Sequence, residues 1–277
     1  MKVQGDNYEL HYGDCLEVMM SLPAGSVDAV ITDPPYGTTA CSWDSVIPFA
    51  PMWEAIKHVL KPRGAVVLFG SEPFSSLLRV SNLDWYKYDW VWDKVKPSSA
   101  LHANHMPLKS VELISVFGNG AIEYNPQMSL SKRRKETKND RNGGAFGDNR
   151  VTRHHDNKGL SYPKVIIKFS NADQTNALHP TQKPVALLEY LTLTYTNPGD
   201  TILDFTMGSC STGKAAIKNG RKFIGIDNGR CEKENSEYYG WTWVEYAEVA
   251  LANAAGDFTL TPAEKATGQM ALLEALV

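Results

Sequence analysis
Four residues, Asp33-Pro34-Pro35-Tyr36, carry the groups needed to hold a planar ring that bears an exocyclic amine. The Asp33 carboxylate and the Pro34 carbonyl can accept the two amine hydrogens, and the Tyr36 ring can stack on the plane. Two successive prolines fix two φ angles and remove two backbone donors, so the segment is stiff and cannot extend a sheet. It follows Val27-Asp28-Ala29-Val30-Ile31-Thr32, a mostly apolar run that predicts a buried strand. On these residues alone a second reading stays open: a strand and a Pro-rich turn, with Asp33 as a cap and Tyr36 half-buried.

A second group lies between Thr201 and Asp227, where the pattern predicts a strand, a loop with Gly208 and Gly213, a helix and a strand. Asp204 stands at the end of the first strand and Asp227 at the end of the second. The loop lacks G-x-G-x-x-G and is a poor match for a pyrophosphate site. A carboxylate after the second strand is where α/β folds often grip ribose hydroxyls. The set suits a nucleoside cofactor without phosphates; an ordinary α/β unit with a tight turn remains the alternative.

The elements that must position these groups alternate. Tyr8–Tyr12 predicts a short strand, Leu16–Leu22 a helix, Val27–Thr32 a strand, Phe49–Leu60 a helix, and Ala65–Phe69 a strand covered on both faces. A helix is expected after Glu72-Pro73, and strands over Lys87–Trp92 and Val111–Phe117. Periodicity fades from Gly118 to about Leu178, which reads as an insertion. Val185–Tyr195 and Ser211–Asn219 predict helices, Thr201–Phe205 and Lys222–Ile226 strands. A mostly helical tail is expected after Gly229, with a capping box at Thr261-Pro262-Ala263-Glu264. A parallel α/β sheet is the favoured architecture.

At 277 residues the chain has room for one large α/β domain with an insertion, or for two small domains. No apolar stretch is long enough to span a bilayer, and the first residues show no secretory signal. Cys15, Cys41, Cys210 and Cys231 form no CxxC, which leads us to expect reduced thiols and a cytoplasmic location. The net charge of −3 is unevenly spread: residues 131–168 hold eleven Lys and Arg against four Asp and Glu, a net +7, leaving −10 elsewhere. A basic segment within an acidic chain points to a polyanionic partner, although a solvated loop would look the same. His102 and His105 lack a third partner for a metal, and none is expected. Trp85, Trp90 and Trp92 read as core or sheet-face residues, and Trp241 and Trp243 as packing residues, with a subunit contact as the alternative.

Three blocks occur in order: Asp33-Pro34-Pro35-Tyr36; His179-Pro180-Thr181-Gln182-Lys183-Pro184; and Asp204-Phe205-Thr206-Met207-Gly208-Ser209-Cys210-Ser211-Thr212-Gly213 with Phe223-Ile224-Gly225-Ile226-Asp227. Through them the chain resembles the β-group S-adenosylmethionine-dependent amino-methyltransferases of DNA, over roughly Tyr8 to Arg230. The resemblance implies a Rossmann-like α/β fold with a mixed seven-stranded sheet, one strand antiparallel, helices on both faces, and a permuted motif order. It implies a catalytic half over 1–117, a target-recognition insertion over 118–178, and a cofactor-binding half with a helical tail over 179–277.

By the same resemblance Asp33, Pro34, Pro35 and Tyr36 hold the target base. Asp204, Phe205, Gly208, Ser209 and Thr212 line the cofactor loop, and Asp227 binds ribose. Lys183 approaches the methionine part, while Asp14 and Cys15 contact the adenine. Lys132, Arg133, Arg134, Lys135, Arg141, Arg150 and Arg153 are expected to meet DNA. Cys210-Ser211 replaces the family's more usual Gly-Thr and adds bulk at the loop. The implied activity is methyl transfer to the N6 amine of adenine flipped out of duplex DNA. Cytosine-N4 transfer on the same scaffold is the alternative; an RNA or protein-glutamine enzyme and a non-catalytic DNA-binding relative are further ones. A homodimer, a partner restriction endonuclease, and a bacterial or phage origin are implied by family analogy alone.

Overall fold
The computed structural model describes residues 2–38, 44–98, 103–133, 135–140, 151–171, 182–234, 236 and 238–254. In chain order the elements are β1 (Lys2–Gln4), β2 (Tyr8–Tyr12), α1 (Cys15–Ser21), β3 (Val27–Thr32), α2 (Phe49–Val59), β4 (Leu60–Gly70), α3 (Phe74–Ser81), β5 (Tyr86–Ser98) and β6 (Lys109–Phe117). There follow β7 (Ser129–Leu130), β8 (Lys135–Asp140), β9 (Val151–Asp156), β10 (Leu160–Ser161), β11 (Ile166–Lys168), α4 (Val185–Tyr195), β12 (Thr201–Asp204), α5 (Ser211–Lys218), β13 (Lys222–Asp227) and α6 (Trp243–Ala254).

The main sheet runs β1-β2-β13-β12-β3-β4-β6-β5-β11. Its seven inner strands are parallel except β6, which is antiparallel to both β4 and β5. Two three-residue edge strands make it nine: β1, antiparallel to β2, and β11, parallel to β5. Period-two alternation divides the core. Ala29, Ile31, Ala65, Val67 and Phe69 join Leu187, Leu191, Ala215 and Val244 of α4, α5 and α6. Val30, Val66, Leu68, Leu203 and Ile226 join Met19, Met52, Ile56 and Leu78 of α1, α2 and α3 on the other face. Each Val, Leu, Ile, Phe or Met side chain among these gains about 1.5–3 kcal/mol on burial, more than the ~1 kcal/mol span of intrinsic strand preference, so packing fixes these strands.

β4 begins five residues before the expected Ala65. Its register with β3 jumps from Val27/Leu60 to Ala29/Ala65, and this irregularity absorbs the turn-forming Pro62-Arg63-Gly64, with Arg63 at φ 68°. The tail after Gly229 is not helical until α6. There Thr242 and Glu245 form the capping box: Thr242 N donates to Glu245 Oε2 at 2.7 Å, and Glu245 N donates to Thr242 Oγ1 at 3.1 Å. The box expected at Thr261–Glu264 lies outside the described residues.

The chain divides into two compact units, Met1–Asn125 with Val165–Val277, and Pro126–Lys164. The smaller unit is narrower than the 118–178 segment expected as an insertion, because β11 pairs with β5 in the main sheet. Three residues with one buried side chain, Ile167, are too short a signal to be read as a strand. The smaller unit holds two antiparallel pairs, β7 with β10 and β8 with β9. No helix among the described residues is long and apolar enough to cross a membrane.

Candidate active site
Four parallel strands lie side by side in the order β2-β13-β12-β3, and an aspartate stands at the carboxyl end of each: Asp14, Asp227, Asp204 and Asp33. In open α/β sheets ligands bind outside those ends. There the structure has a cleft of about 840 Å³. Every residue expected to hold the base or the cofactor lines it: Asp33, Pro34, Pro35, Tyr36, Asp14, Cys15, Lys183, Asp204, Phe205, Gly208, Ser209, Thr212 and Asp227.

The Asp33–Tyr36 segment is tied to the strand beside it. The Asp33 carbonyl accepts from Thr206 Oγ1 at 3.1 Å, and no donor among the described residues meets the Pro34 carbonyl. The Tyr36 hydroxyl donates to Asp33 Oδ1, and its ring stacks on Phe74 with centroids 5.1 Å apart. Burial, with the Asp33 charge beside it, holds the Tyr36 phenol well above its usual range. The Asp33 side chain keeps 20% of its surface accessible.

Lys183 lies in the cleft beside Asp33. Its ammonium bonds Asp33 Oδ2 and lies 3.6 Å from Glu112 Oε2 of β6. The resemblance placed it beside the methionine part of a cofactor; the structure brings it to the carboxylate expected to hold the base. Burial and the Glu112 charge push the Asp33 carboxyl up against the pull of Lys183.

Asp204 is 3% exposed. Three oxygen contacts run in series from it: Asp204 Oδ1 to Thr32 Oγ1 at 2.6 Å, Thr32 Oγ1 to Thr206 Oγ1 at 2.7 Å, and Thr206 Oγ1 to the Asp33 carbonyl. Thr32 Oγ1 donates to Asp204 Oδ1, which also accepts from Thr206 N at 3.2 Å; burial outweighs these bonds and pushes the carboxyl up to about 6.

Because that folded-state value exceeds the usual 3.9, the protonated form favours folding. The stability it gives is complete below about pH 4 and lost as pH rises through about 6, at about 3 kcal/mol for two units. Asp204→Asn, which cannot ionise, therefore gains on the parent protein by about 2–3 kcal/mol between pH 4 and pH 7.5, read from urea unfolding. A difference that stays flat across that range contradicts a carboxyl raised by burial.

Asp227 is held by its own loop. Gly208 N donates to Oδ2 at 2.9 Å and Gly229 N to Oδ1 at 2.6 Å. The Gly208 amide is thus engaged by a carboxylate and not presented to a phosphate. Asp14 Oδ1 caps α1, accepting from Leu16 N at 2.9 Å and Glu17 N at 3.1 Å. Cys15 is a thiol at neutral pH, pushed up to about 11 by burial.

Cys210, whose bulk seemed ill placed from the sequence, does not line the cleft. It adopts φ 57°, a left-handed conformation, and is fully buried in the core. Its sulfur fits because Gly213 has no Cβ; one there would fall on that sulfur and lie 2.7 Å from the Phe223 ring.

The acids Asp14, Asp33, Asp44, Asp204, Asp227 and Glu232 outnumber the bases Lys183, Arg230 and Lys233 around the cleft, and Phe69, Leu188 and Trp243 give it an apolar wall. This donor set fits a cationic nucleoside without phosphates, as S-adenosylmethionine is. No group of His, Cys, Asp and Glu among the described residues is arranged to hold a metal.

Sequence reasoning missed Thr32, Thr206, Glu112 and Lys94, which position the named residues. Of the expected DNA contacts, Lys132 and Arg133 are exposed, Lys135 and Arg153 lie on β8 and β9, and Arg134, Arg141 and Arg150 lie outside the described residues.

The chain is similar to several known DNA methyltransferases. The DNA adenine methyltransferase YhdJ of Escherichia coli K12 is 30% identical over 241 residues, covering 82% of this chain and 78% of its own. The M1.HpyAVI–SAM complex covers 88% of this chain and 100% of its own, at 23% identity and a TM-score of 0.55. The cytosine-N4-specific PvuII DNA methyltransferase covers 96% of this chain and 92% of its own, at 18% identity and a TM-score of 0.60. Residues 27–237 match the DNA methylase family of N6 and N4 enzymes, and the chain belongs to that family.

Proposed function
We propose that this DNA methyltransferase transfers a methyl group from S-adenosylmethionine to the N6 amine of adenine. The observation that carries the reading is the convergence of Asp33, Pro34 and Tyr36 with Asp204 and Asp227 in one cleft. The identity to an adenine enzyme over most of the chain favours adenine over cytosine.

When bound, S-adenosylmethionine supplies a methyl group already activated by a sulfonium. The target amine is a poor nucleophile because its lone pair is delocalised into the ring. Asp33 and the Pro34 carbonyl, accepting its two hydrogens, favour a pyramidal nitrogen whose lone pair faces the methyl. Positioning and fixed dipoles then provide most of the acceleration. The amine proton leaves after attack, so Asp33 need not be a strong base and no covalent enzyme intermediate is needed.

A base inside a duplex must be flipped out, at a few kcal/mol. Stacking on an aromatic ring such as Tyr36 returns about 1–3 kcal/mol of this. The Pro126–Lys164 unit, with Lys132, Arg133, Lys135 and Arg153, is read as the target-recognition element. Single-molecule sequencing of DNA from cells expressing the chain tests the reading. N6-methyladenine at one short motif is expected; N4-methylcytosine there instead, or no modified base, contradicts it.

A further inference from the structure
A second set of charges lies behind the cleft and is used by none of the steps above. Lys94 on β5 and Glu112 on β6 are diagonal neighbours on one face, Glu112 being paired in register with Trp92. Lys94 Nζ donates to Glu112 Oε1 at 3.1 Å, and the side chains are 7% and 18% exposed. The other oxygen, Glu112 Oε2, is buried with no hydrogen-bond partner among the described residues. Lys183 Nζ, at 3.6 Å, is just beyond bonding reach of it. A buried carboxylate oxygen without a donor is costly, so its orphan state calls for an explanation. The four charges Lys94, Glu112, Lys183 and Asp33 alternate in sign and balance, and one ammonium has two carboxylates to choose from.

We propose that Lys183 is a placeholder for the target amine: it sits on Asp33 until the amine arrives and then passes to Glu112 Oε2, with Glu112 and Lys94 as positioning residues that set the exchange. The inference rests on the reading that Asp33 receives the base. An ammonium held on Asp33 would oppose the positive charge that develops on the attacking nitrogen, next to a sulfonium. Moved onto Glu112, it completes that residue's bonding and frees Asp33. Lys183 and Lys94 override the effect of burial and hold Glu112 below the usual carboxylate range, which marks it as a ready seat. The groups facing Asp33 are Tyr36, Lys183, Glu112 from β6 and Asp204 from β12.

The test is the single-turnover methyl-transfer rate across pH for the full chain, Glu112→Gln and Lys94→Met, with folding checked by urea and cofactor affinity by calorimetry. Glu112→Gln removes the second seat. The rate falls roughly tenfold, less than the about 10²-fold lost with a direct transition-state contact, while cofactor affinity is unchanged. Its acid limb moves to lower pH, because a negative charge near Asp33 is gone. Lys94→Met moves that limb to higher pH, because Glu112 then draws Lys183 away and a positive charge is lost. A purely structural role does not move the limb in opposite directions. Limbs that stay fixed or move the same way, or an unchanged Glu112→Gln rate, overturn the proposal.

A measurement on the unaltered protein does not depend on the variants' folding. The Lys183 Nζ signal in ¹⁵N NMR, with S-adenosylhomocysteine bound, is expected to shift when the methylatable duplex is added; a signal that does not move overturns the exchange. An unaltered chain that transfers no methyl group to DNA overturns the reading of function itself, and this inference with it.

Discussion

Asp33→Ala all but abolishes methyl transfer, lowering the single-turnover rate by about 10²- to 10³-fold, as expected when a principal transition-state contact is removed. The carboxylate lines the cleft beside Tyr36, and the loop that holds it is fixed by two prolines and by Thr206. Cofactor affinity is expected to change little, because Asp227 and the Gly208 loop stay tied to each other without Asp33. Radiolabelled methyl transfer and calorimetry on the same preparation separate the two quantities. Turnover near that of the parent protein would remove Asp33 from the mechanism. A lost cofactor site would mean that the residue is structural.

Asp227→Ala has the opposite profile. Its carboxylate accepts the amides of Gly208 and Gly229 and faces the cleft, so its removal takes away a ligand acceptor and unties the loop. Hydrogen bonds to a charged group contribute about 1.5–3 kcal/mol each, and losing one to a ribose hydroxyl predicts a cofactor dissociation constant raised by about 10- to 100-fold. At saturating cofactor the transfer rate recovers much of its value, since the Asp33–Tyr36 segment is untouched. An unchanged dissociation constant would show that the carboxylate serves its loop alone.

Asp33, Asp204 and Asp227 were legible because each stands where an apolar run meets a loop, whereas Asp14 was reached through the family resemblance alone. Val27–Thr32 and Val185–Tyr195 came out to the residue, since Pro34 beyond the first and Pro184 before the second leave little choice of boundary. The supporting charges were not legible. Lys94 and Glu112 sit in strands where a polar residue every second position ordinarily faces water, and only the burial of their side chains in the folded protein shows that this face is covered. Lys183 was placed in the cleft, but its bond to Asp33 was not legible, because a block of residues gives proximity to a ligand and not the direction of a side chain. Thr242-Trp243-Val244-Glu245 carries a capping box that the flanking tryptophans obscured. The Cys210 substitution looked obstructive because its compensation, Gly213, reads as part of a glycine-rich loop and not as room for a sulfur.

The most direct measurement incubates the purified chain and duplex DNA with S-adenosylmethionine labelled in its methyl group, digests the DNA to nucleosides, and locates the label by mass spectrometry. The account predicts label in N6-methyldeoxyadenosine, absent when Asp33→Ala replaces the parent chain. Label in N4-methyldeoxycytidine, or none in any nucleoside, would contradict it.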